Sequence, residues 1–214
     1  MRLYTVQVAP NPTKVELYLA EKEAKGATLD IERVTVRLMK GEQNQPEHLA
    51  RNPFGSVPVL EADDGEFIVE SLAIIEYLEE CYTPSAPHTS MWGDSALERA
   101  HNRDYERIAD TRVLGPIARY IHATNSPIGM AVSPEIAAAA EKVIPKGLSF
   151  FNEMLSDGRP FVAGTAATVG DCTLAAALQF ARFGGYALSD KYQHLSRWDQ
   201  QYRERDCVNA VIIA

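Results

Sequence analysis

Cysteine is scarce in this chain of 214 residues, and the three that are present, Cys81, Cys172 and Cys207, lie far apart. They form neither a CxxC pair nor the spacing of a metal-ligand set. An odd and sparse count argues against a disulfide framework and fits a reducing compartment. We therefore expect a cytoplasmic protein that binds no metal.

Long apolar runs and an excess of basic residues are also missing. No stretch approaches the roughly 18 consecutive apolar residues of a membrane span, and the opening residues MRLYTVQV lack the apolar centre of a signal peptide. Acidic residues outnumber basic ones by 29 to 21, whereas a nucleic-acid-binding protein normally carries a basic patch. We expect neither a membrane nor a nucleic acid as partner.

The first third of the chain alternates between strand and helix patterns. Residues 3–8 and 31–36 favour strands, because they are rich in β-branched and aromatic side chains or alternate apolar with charged ones. Between them, Asn11-Pro12 predicts the start of a helix, since Asn can cap a helix and Pro is favoured at its first position. This order implies parallel strands joined by a right-handed crossover.

A hairpin and a further helix follow. Residues 57–60 and 67–69 predict two antiparallel strands, because the segment Asp63-Asp64-Gly65 between them is a strong turn signal. Residues 71–82 carry apolar side chains at helical spacing. The resulting order, βαβ then ββα, predicts a mixed four-stranded sheet with helices packed against it.

The rest of the chain is helical in pattern. Residues 84–94 contain two prolines and small polar residues, which is typical of a linker between domains. Helices are predicted at about 95–124, 134–157, 170–186 and 190–204. The sequence thus predicts an α/β domain over residues 1–83, a linker over 84–94 and an all-α bundle over 95–214.

Three segments resemble the cytosolic glutathione S-transferases. Residues 52–80, NPFGSVPVLEADDGEFIVESLAIIEYLEE, resemble the part of the first domain that binds glutathione, and residues 9–22, APNPTKVELYLAEK, resemble the first loop and helix. Residues 168–178, TVGDCTLAAAL, resemble a helix start in the second domain. The resemblance implies a thioredoxin-like first domain, glutathione as cosubstrate and a homodimer.

The resemblance places two residue pairs at glutathione. Val57-Pro58 would receive the cysteinyl part, since an X-Pro bond there can be cis and would leave Val57 free to pair with an extended peptide. The alternative for Pro58 is an ordinary edge-strand proline. Glu70-Ser71 lies where a strand ends and a helix begins, which favours anion binding. Ser71 would hold the γ-glutamyl carboxylate and Glu70 the ammonium, with simple helix capping as the alternative.

Gln43 is the candidate contact for the glycine end of glutathione. It lies in the polar loop KGEQNQPEHL and matches a glutamine used there by bacterial Nu-like members. Asn44 and Ser56 stand where other members carry a histidine or a lysine, so the usual cation is missing. Lys40 could substitute for it.

The usual thiol-activating residue is also missing. When the chain is aligned on Lys14-Val15, the Ser or Cys of many members falls on Ala9, which cannot donate a hydrogen bond. Asn11 matches an asparagine that Nu-like members direct at the sulfur. Its amide, together with the positive end of the helix, could stabilise a thiolate. Helix capping is the alternative for Asn11.

The second substrate is expected between the first domain and the predicted helix at 95–124. Tyr105, Ile108 and Arg112 recur there at helical spacing and would share one face, although a dimer contact or plain core is the alternative. Thr168 and Asp171 are interpreted as a reciprocal capping pair rather than as catalytic residues.

These expectations favour a glutathione transferase that activates the thiol of glutathione and presents the thiolate to an electrophilic or disulfide substrate. A glutathionyl disulfide oxidoreductase of the Nu-like type is one alternative. A non-catalytic interaction module on the same fold is the other, because Ala9 occupies the usual activator position.

Overall fold

The first part of the chain forms a mixed sheet covered by helices. The structure, a computed structural model, describes residues 1–27, 30–82 and 90–213. The sheet has the order β2-β1-β3-β4, with β1 parallel to β2 and the other neighbours antiparallel. The predicted βαβ-ββα order is confirmed. The elements are β1 (Arg2–Thr5), α1 (Pro10–Ala24), β2 (Glu32–Thr35), α2 (Pro46–Leu49), β3 (Val59–Glu61), β4 (Phe67–Ile68) and α3 (Ser71–Tyr82).

Two element boundaries differ from the prediction in ways that matter for the site. Helix α1 begins at Pro10, and its N-cap residue is Ala9, which makes no side-chain capping bond. Asn11 therefore lies inside the first turn and does not cap the helix. Strand β3 begins at Val59 rather than Val57, so the Val57 backbone precedes the hydrogen-bonded ladder.

The second part of the chain is helical, as predicted. A π-helical segment at 109–114 interrupts the predicted helix at 95–124. Residue 83, the predicted end of the first domain, and residues 84–89 of the predicted linker lie outside the described ranges, so the domain boundaries stay predictions. In the parts of the chain that the structure describes, no helix is long and apolar enough to cross a membrane. The elements are α4 (Ala96–Ile108), α5 (Gly115–Asn125), α6 (Pro134–Met154), α7 (Val169–Phe183), α8 (Gln193–Arg203) and α9 (Asp206–Asn209).

Helix α7 is the centre of the second domain and packs against α1 of the first. All of its residues from Val169 to Ala181 are buried, and the small residues among them let neighbouring helices approach closely. Polar contacts fix α1 in place, because Lys14 Nζ lies 3.1 Å from Asp110 Oδ1 and Arg205, which directly precedes α9, pairs with the buried Glu21. Helix α1 is thus held against the helical domain at two points along its length.

The start of α7 carries the predicted capping pair. Thr168 is the N-cap residue, and Asp171 Oδ2 accepts hydrogen bonds from its backbone N–H and its hydroxyl, both at 2.9 Å. Asp171 Oδ1 also accepts from the Val162 N–H at 2.7 Å. The capping interpretation is confirmed, and the carboxylate additionally ties the preceding loop to the helix.

Candidate active site

A cleft of about 350 Å³ opens at the N-terminus of α1. One wall belongs to the first domain and consists of the β1–α1 loop at 6–12 and of residues near 38–43 and 55–57. The opposite wall belongs to the helical domain and is mostly apolar. It is formed by Leu114, Ala118, His122, Pro127, Ile128, Phe180 and Phe183.

Asn11 lines this cleft and is oriented by Ser71. The Ser71 hydroxyl donates to Asn11 Oδ1 across 3.5 Å, which is a long hydrogen bond. Because the amide oxygen is engaged there, the amide NH₂ is the part of the side chain left for a ligand. Asn11 is solvent-exposed, so a ligand in the cleft can reach this donor.

The sequence at the start of α1 also leaves the backbone N–H of Asn11 available to a ligand. N–H groups in the first turn of a helix have no partner within the helix, but Pro10 and Pro12 carry no N–H. The Thr13 N–H already bonds to the Ala9 carbonyl at 3.0 Å. The Asn11 N–H is therefore the backbone donor that remains in the first three positions of α1. The positive end of the helix dipole acts at that point, where it favours an anion.

Val57 and Gln43 line the same cleft, whereas Pro58 does not. The Val57–Pro58 bond is cis. Gln43 Oε1 is buried and has no hydrogen-bond partner among the described residues, and such an atom is normally satisfied by a ligand or water. The turn that precedes Val57 packs closely on Gln43 at Gly55. The φ of Gly55 is +62°, and a Cβ there would lie 3.2 Å from the Gln43 carbonyl oxygen.

Glu70 and Ser71 lie at the start of α3 and do not line the cleft directly. Ser71 is buried and Glu70 is exposed. The Ile74 N–H bonds to the Glu70 carbonyl at 2.9 Å, so the helical hydrogen bonds begin there and the earlier N–H groups are free for an anion. The Ser71–Asn11 hydrogen bond joins this helix end to the cleft.

Sequence reasoning missed His122, which lies in the helical wall of the cleft. Its Nδ1 is 2.9 Å from Ser126 Oγ, and its ring lies against Phe180. Burial lowers the pKa of His122 from its ordinary 6.5, so the ring is neutral at neutral pH. Among the described residues that line the cleft, His122 alone has a titratable side chain. The sequence signal that could have identified this pair is the spacing of His122 and Ser126, which are one helical turn apart.

The structure does not bring Tyr105, Ile108 and Arg112 to this cleft. Tyr105 packs on α7 at Gly170, where an added Cβ would lie 3.2 Å from the Tyr105 Cβ. Tyr105 borders a different cavity. Arg112 lies in the π-helical segment and is exposed. The helical wall comes instead from residues further along the chain. Within the described ranges, no cluster of His, Cys, Asp or Glu is arranged to hold a metal ion.

The fold and the site together define a class of protein. The family model for the glutathione S-transferase N-terminal domain matches residues 1–80, and the model for the C-terminal domain matches residues 110–206. The chain belongs to the glutathione S-transferase family, as the sequence resemblance predicted.

Individual relatives fit the same family. Glutathione S-transferase 2 of Saccharomyces cerevisiae is 30% identical over 217 residues, covering 99% of this chain and 89% of that protein. The crystal structure of Gtt2 from the same organism has a TM-score of 0.86 at 29% identity, over 99% of this chain and all of that one (100%). A glutathione S-transferase domain-containing protein of Marinobacter aquaeolei also has a TM-score of 0.86, at 31% identity over 97% of this chain and 100% of the other.

A maleylacetoacetate isomerase of Pseudomonas aeruginosa is similar over a shorter range. It is 40% identical over 105 residues, which is 48% of this chain and 45% of that protein. The relatives therefore include both transferases and an isomerase, and the family alone does not fix one reaction.

Proposed function

We propose that this protein is a glutathione transferase that binds glutathione at the α1 cleft, activates its thiol and presents the thiolate to an electrophilic or disulfide substrate. One observation carries the proposal. The Ser71–Asn11 hydrogen bond links the anion-binding start of α3 to the cleft, and the mostly apolar wall of the helical domain faces the same space.

The parts of glutathione match these groups in order. The α-carboxylate of the γ-glutamyl part binds at Ser71 and the first N–H groups of α3, while Glu70 takes the ammonium. The Val57 backbone pairs with the cysteinyl part by strand addition. Gln43 faces the glycyl part. Glutathione bound in this way places its sulfur near Asn11, opposite the helical wall.

Two groups can stabilise or generate the thiolate. The Asn11 side-chain amide and backbone N–H supply donors at the positive end of α1. His122 is the neutral base on the opposite wall, since its lowered pKa keeps it unprotonated. Ala9, at the usual activator position, contributes no side-chain donor.

Replacing Asn11 by alanine is expected to raise the pKa of the bound thiol. A hydrogen bond to a charged group contributes about 1.5–3 kcal/mol, and one pKa unit corresponds to about 1.4 kcal/mol, so the rise should be about one to two units. Ultraviolet absorbance of the thiolate, followed against pH at saturating glutathione, measures it. Asn209→Ala, on α9, is the matched control, and an unchanged thiol pKa in Asn11→Ala would remove Asn11 from the activation step.

Replacing His122 by glutamine is expected to change the pH profile of kcat. The neutral ring accepts the proton, so activity should fall as the pH drops through the pKa of His122, which lies below 6.5. Glutamine does not titrate, so the part of the acid limb that comes from His122 should disappear while kcat decreases. An identical acid limb in both proteins would contradict a role for His122 as the base.

Binding and turnover measurements distinguish the transferase from the two alternative functions. Calorimetric titration of glutathione and of glutathione disulfide into the wild-type protein tests the cleft, and turnover of a glutathionyl mixed disulfide tests the Nu-like oxidoreductase. Preference for the disulfide together with that turnover would favour oxidoreduction. Absence of binding by either form would leave the interaction module on the same fold.

The proposal includes a cytoplasmic homodimer. The family resemblance supports this part of the proposal, and Phe54, which is 79% exposed, is the apolar surface side chain chosen for the test. Sedimentation equilibrium of the wild-type protein and of a Phe54→Ser variant measures the assembly.

A further inference from the structure

The turn at residues 52–57 is held by two buried side chains that do not touch the cleft. His48 is 3% exposed and Asn52 is 0% exposed, and neither lines the cleft. Both point at the same atom: His48 Nε2 is 3.0 Å from the Ser56 carbonyl oxygen, and Asn52 Nδ2 donates to that oxygen at 2.9 Å. A carbonyl only accepts, so His48 must carry its proton on Nε2.

Asn52 is fully engaged in the turn. In addition to the Ser56 carbonyl, its Nδ2 donates to Ser56 Oγ at 2.9 Å. Its Oδ1 accepts from the Phe54 N–H at 3.0 Å. One side chain thus fixes the direction of several polar groups in five consecutive residues.

The doubly bonded carbonyl determines where the next N–H points. In a trans peptide the C=O and N–H groups are rigidly coplanar and directed oppositely. The Ser56 oxygen is held toward buried side chains outside the cleft, so the Val57 N–H points to the other side of the peptide plane. Val57 lines the cleft, and among the described residues its N–H has no protein acceptor.

We propose that His48 and Asn52 are positioning residues: by holding the Ser56 carbonyl, they aim the Val57 N–H at the carbonyl oxygen of an extended peptide ligand in the cleft. This inference rests on the proposed function, in which that ligand is glutathione. The two side chains act through the peptide plane and make no contact with the ligand.

Asn52→Ala is the first test, with Asn102→Ala as its matched control. Asn102 is a second buried asparagine whose Nδ2 donates to a backbone carbonyl, that of Trp92, at 2.8 Å, but it lies on α4 away from the cleft. Both variants lose the same kind of bond, so both should unfold at lower temperature. Only Asn52→Ala should weaken glutathione binding, by about fivefold to tenfold, as the loss of one neutral hydrogen bond implies.

A second pair keeps the test decisive if Asn52→Ala does not fold. His48→Gln retains an N–H donor on a flexible chain, whereas His48→Phe removes the donor but keeps a ring of similar volume. Glutathione affinity should fall in His48→Phe and return toward the wild-type value in His48→Gln. The pKa of the bound thiol, which is governed at Asn11, should stay unchanged in both.

The amide resonance of Val57 gives a direct readout. In the wild type, glutathione should shift it strongly, and the shift should be reduced in His48→Phe and in Asn52→Ala but not in Asn102→Ala. The positioning role would be overturned if Asn52→Ala and His48→Phe both left the glutathione affinity unchanged. It would also be overturned if Asn102→Ala lowered that affinity as much as Asn52→Ala does. Failure of the wild type to bind glutathione at all would instead overturn the proposed function, and the positioning role with it.

Discussion

Replacing Glu70 and Ser71 together by alanine is expected to weaken glutathione binding by about a hundredfold or more. In the proposed complex each residue makes a hydrogen bond to a charged group of the γ-glutamyl part, and each such bond contributes about 1.5–3 kcal/mol. Since about 1.4 kcal/mol corresponds to a tenfold change in affinity, two lost bonds give at least two powers of ten. Calorimetric titration of the double variant measures the change.

The structure explains why this pair should have the largest effect on binding. Ser71 is buried at the start of α3 and also orients Asn11 through its hydroxyl, so its loss should disturb both the proposed carboxylate site and the proposed thiol site. Glu70 is exposed, and in the proposed complex its carboxylate contacts the ligand alone. The single variant Glu70→Gln should therefore lose affinity without a change in the thiol pKa, whereas Ser71→Ala should change both.

A control on the same helix separates ligand binding from helix stability. Glu80 is an exposed glutamate near the opposite end of α3, and Glu80→Ala should leave the affinity for glutathione unchanged. If the double variant binds glutathione as tightly as Glu80→Ala does, the γ-glutamyl site is not at the start of α3.

The order of the elements could be predicted because it depends on local patterns. Alternation at 31–36, the turn at Asp63-Asp64-Gly65 and the helical spacing at 71–82 each require only a few neighbouring residues. The same holds for the Thr168–Asp171 capping pair, whose partners are three residues apart. Element boundaries were less predictable, since α1 begins at Pro10 and β3 begins only at Val59.

The helical wall of the cleft could not be predicted in this way. Tyr105 and Ile108 lie in α4, and a π-helical segment that contains Arg112 follows them at 109–114. One extra residue in a turn rotates the following side chains by about 100°. Regular spacing counted from Tyr105 therefore no longer applies after residue 114, where Ala118 and His122 line the cleft.

The Ser71–Asn11 contact could not be predicted either, although both residues were singled out. They are 60 positions apart in the chain and approach within hydrogen-bonding distance through the packing of α1 and α3. Sequence similarity assigned them separate roles at the sulfur and at the carboxylate. The structure places the two side chains in contact.

Replacing Asp171 by alanine is expected to lower the free energy of unfolding by about 3–4 kcal/mol, the largest loss of stability in this set. The carboxylate is fully buried and accepts from the Val162 N–H, the Thr168 N–H and the Thr168 hydroxyl. Truncation leaves all three donors buried without an acceptor, and each such group costs about 1–3 kcal/mol before the structure relaxes. Urea unfolding of the variant and the wild type measures the difference.

The pH of this measurement matters because burial raises the pKa of Asp171 from 3.8 to about 6. A carboxyl group whose pKa is raised on folding adds stability in its protonated form, and that contribution is lost as the pH rises through about 6. Well above that value the group is ionised, and the comparison reports its three hydrogen bonds. Asp171→Asn keeps an acceptor oxygen and should lose less stability than Asp171→Ala. The exposed Asp190 provides the control: Asp190→Ala should be close to wild type, and an equally small loss in Asp171→Ala would show that the carboxylate does not stabilise the start of α7.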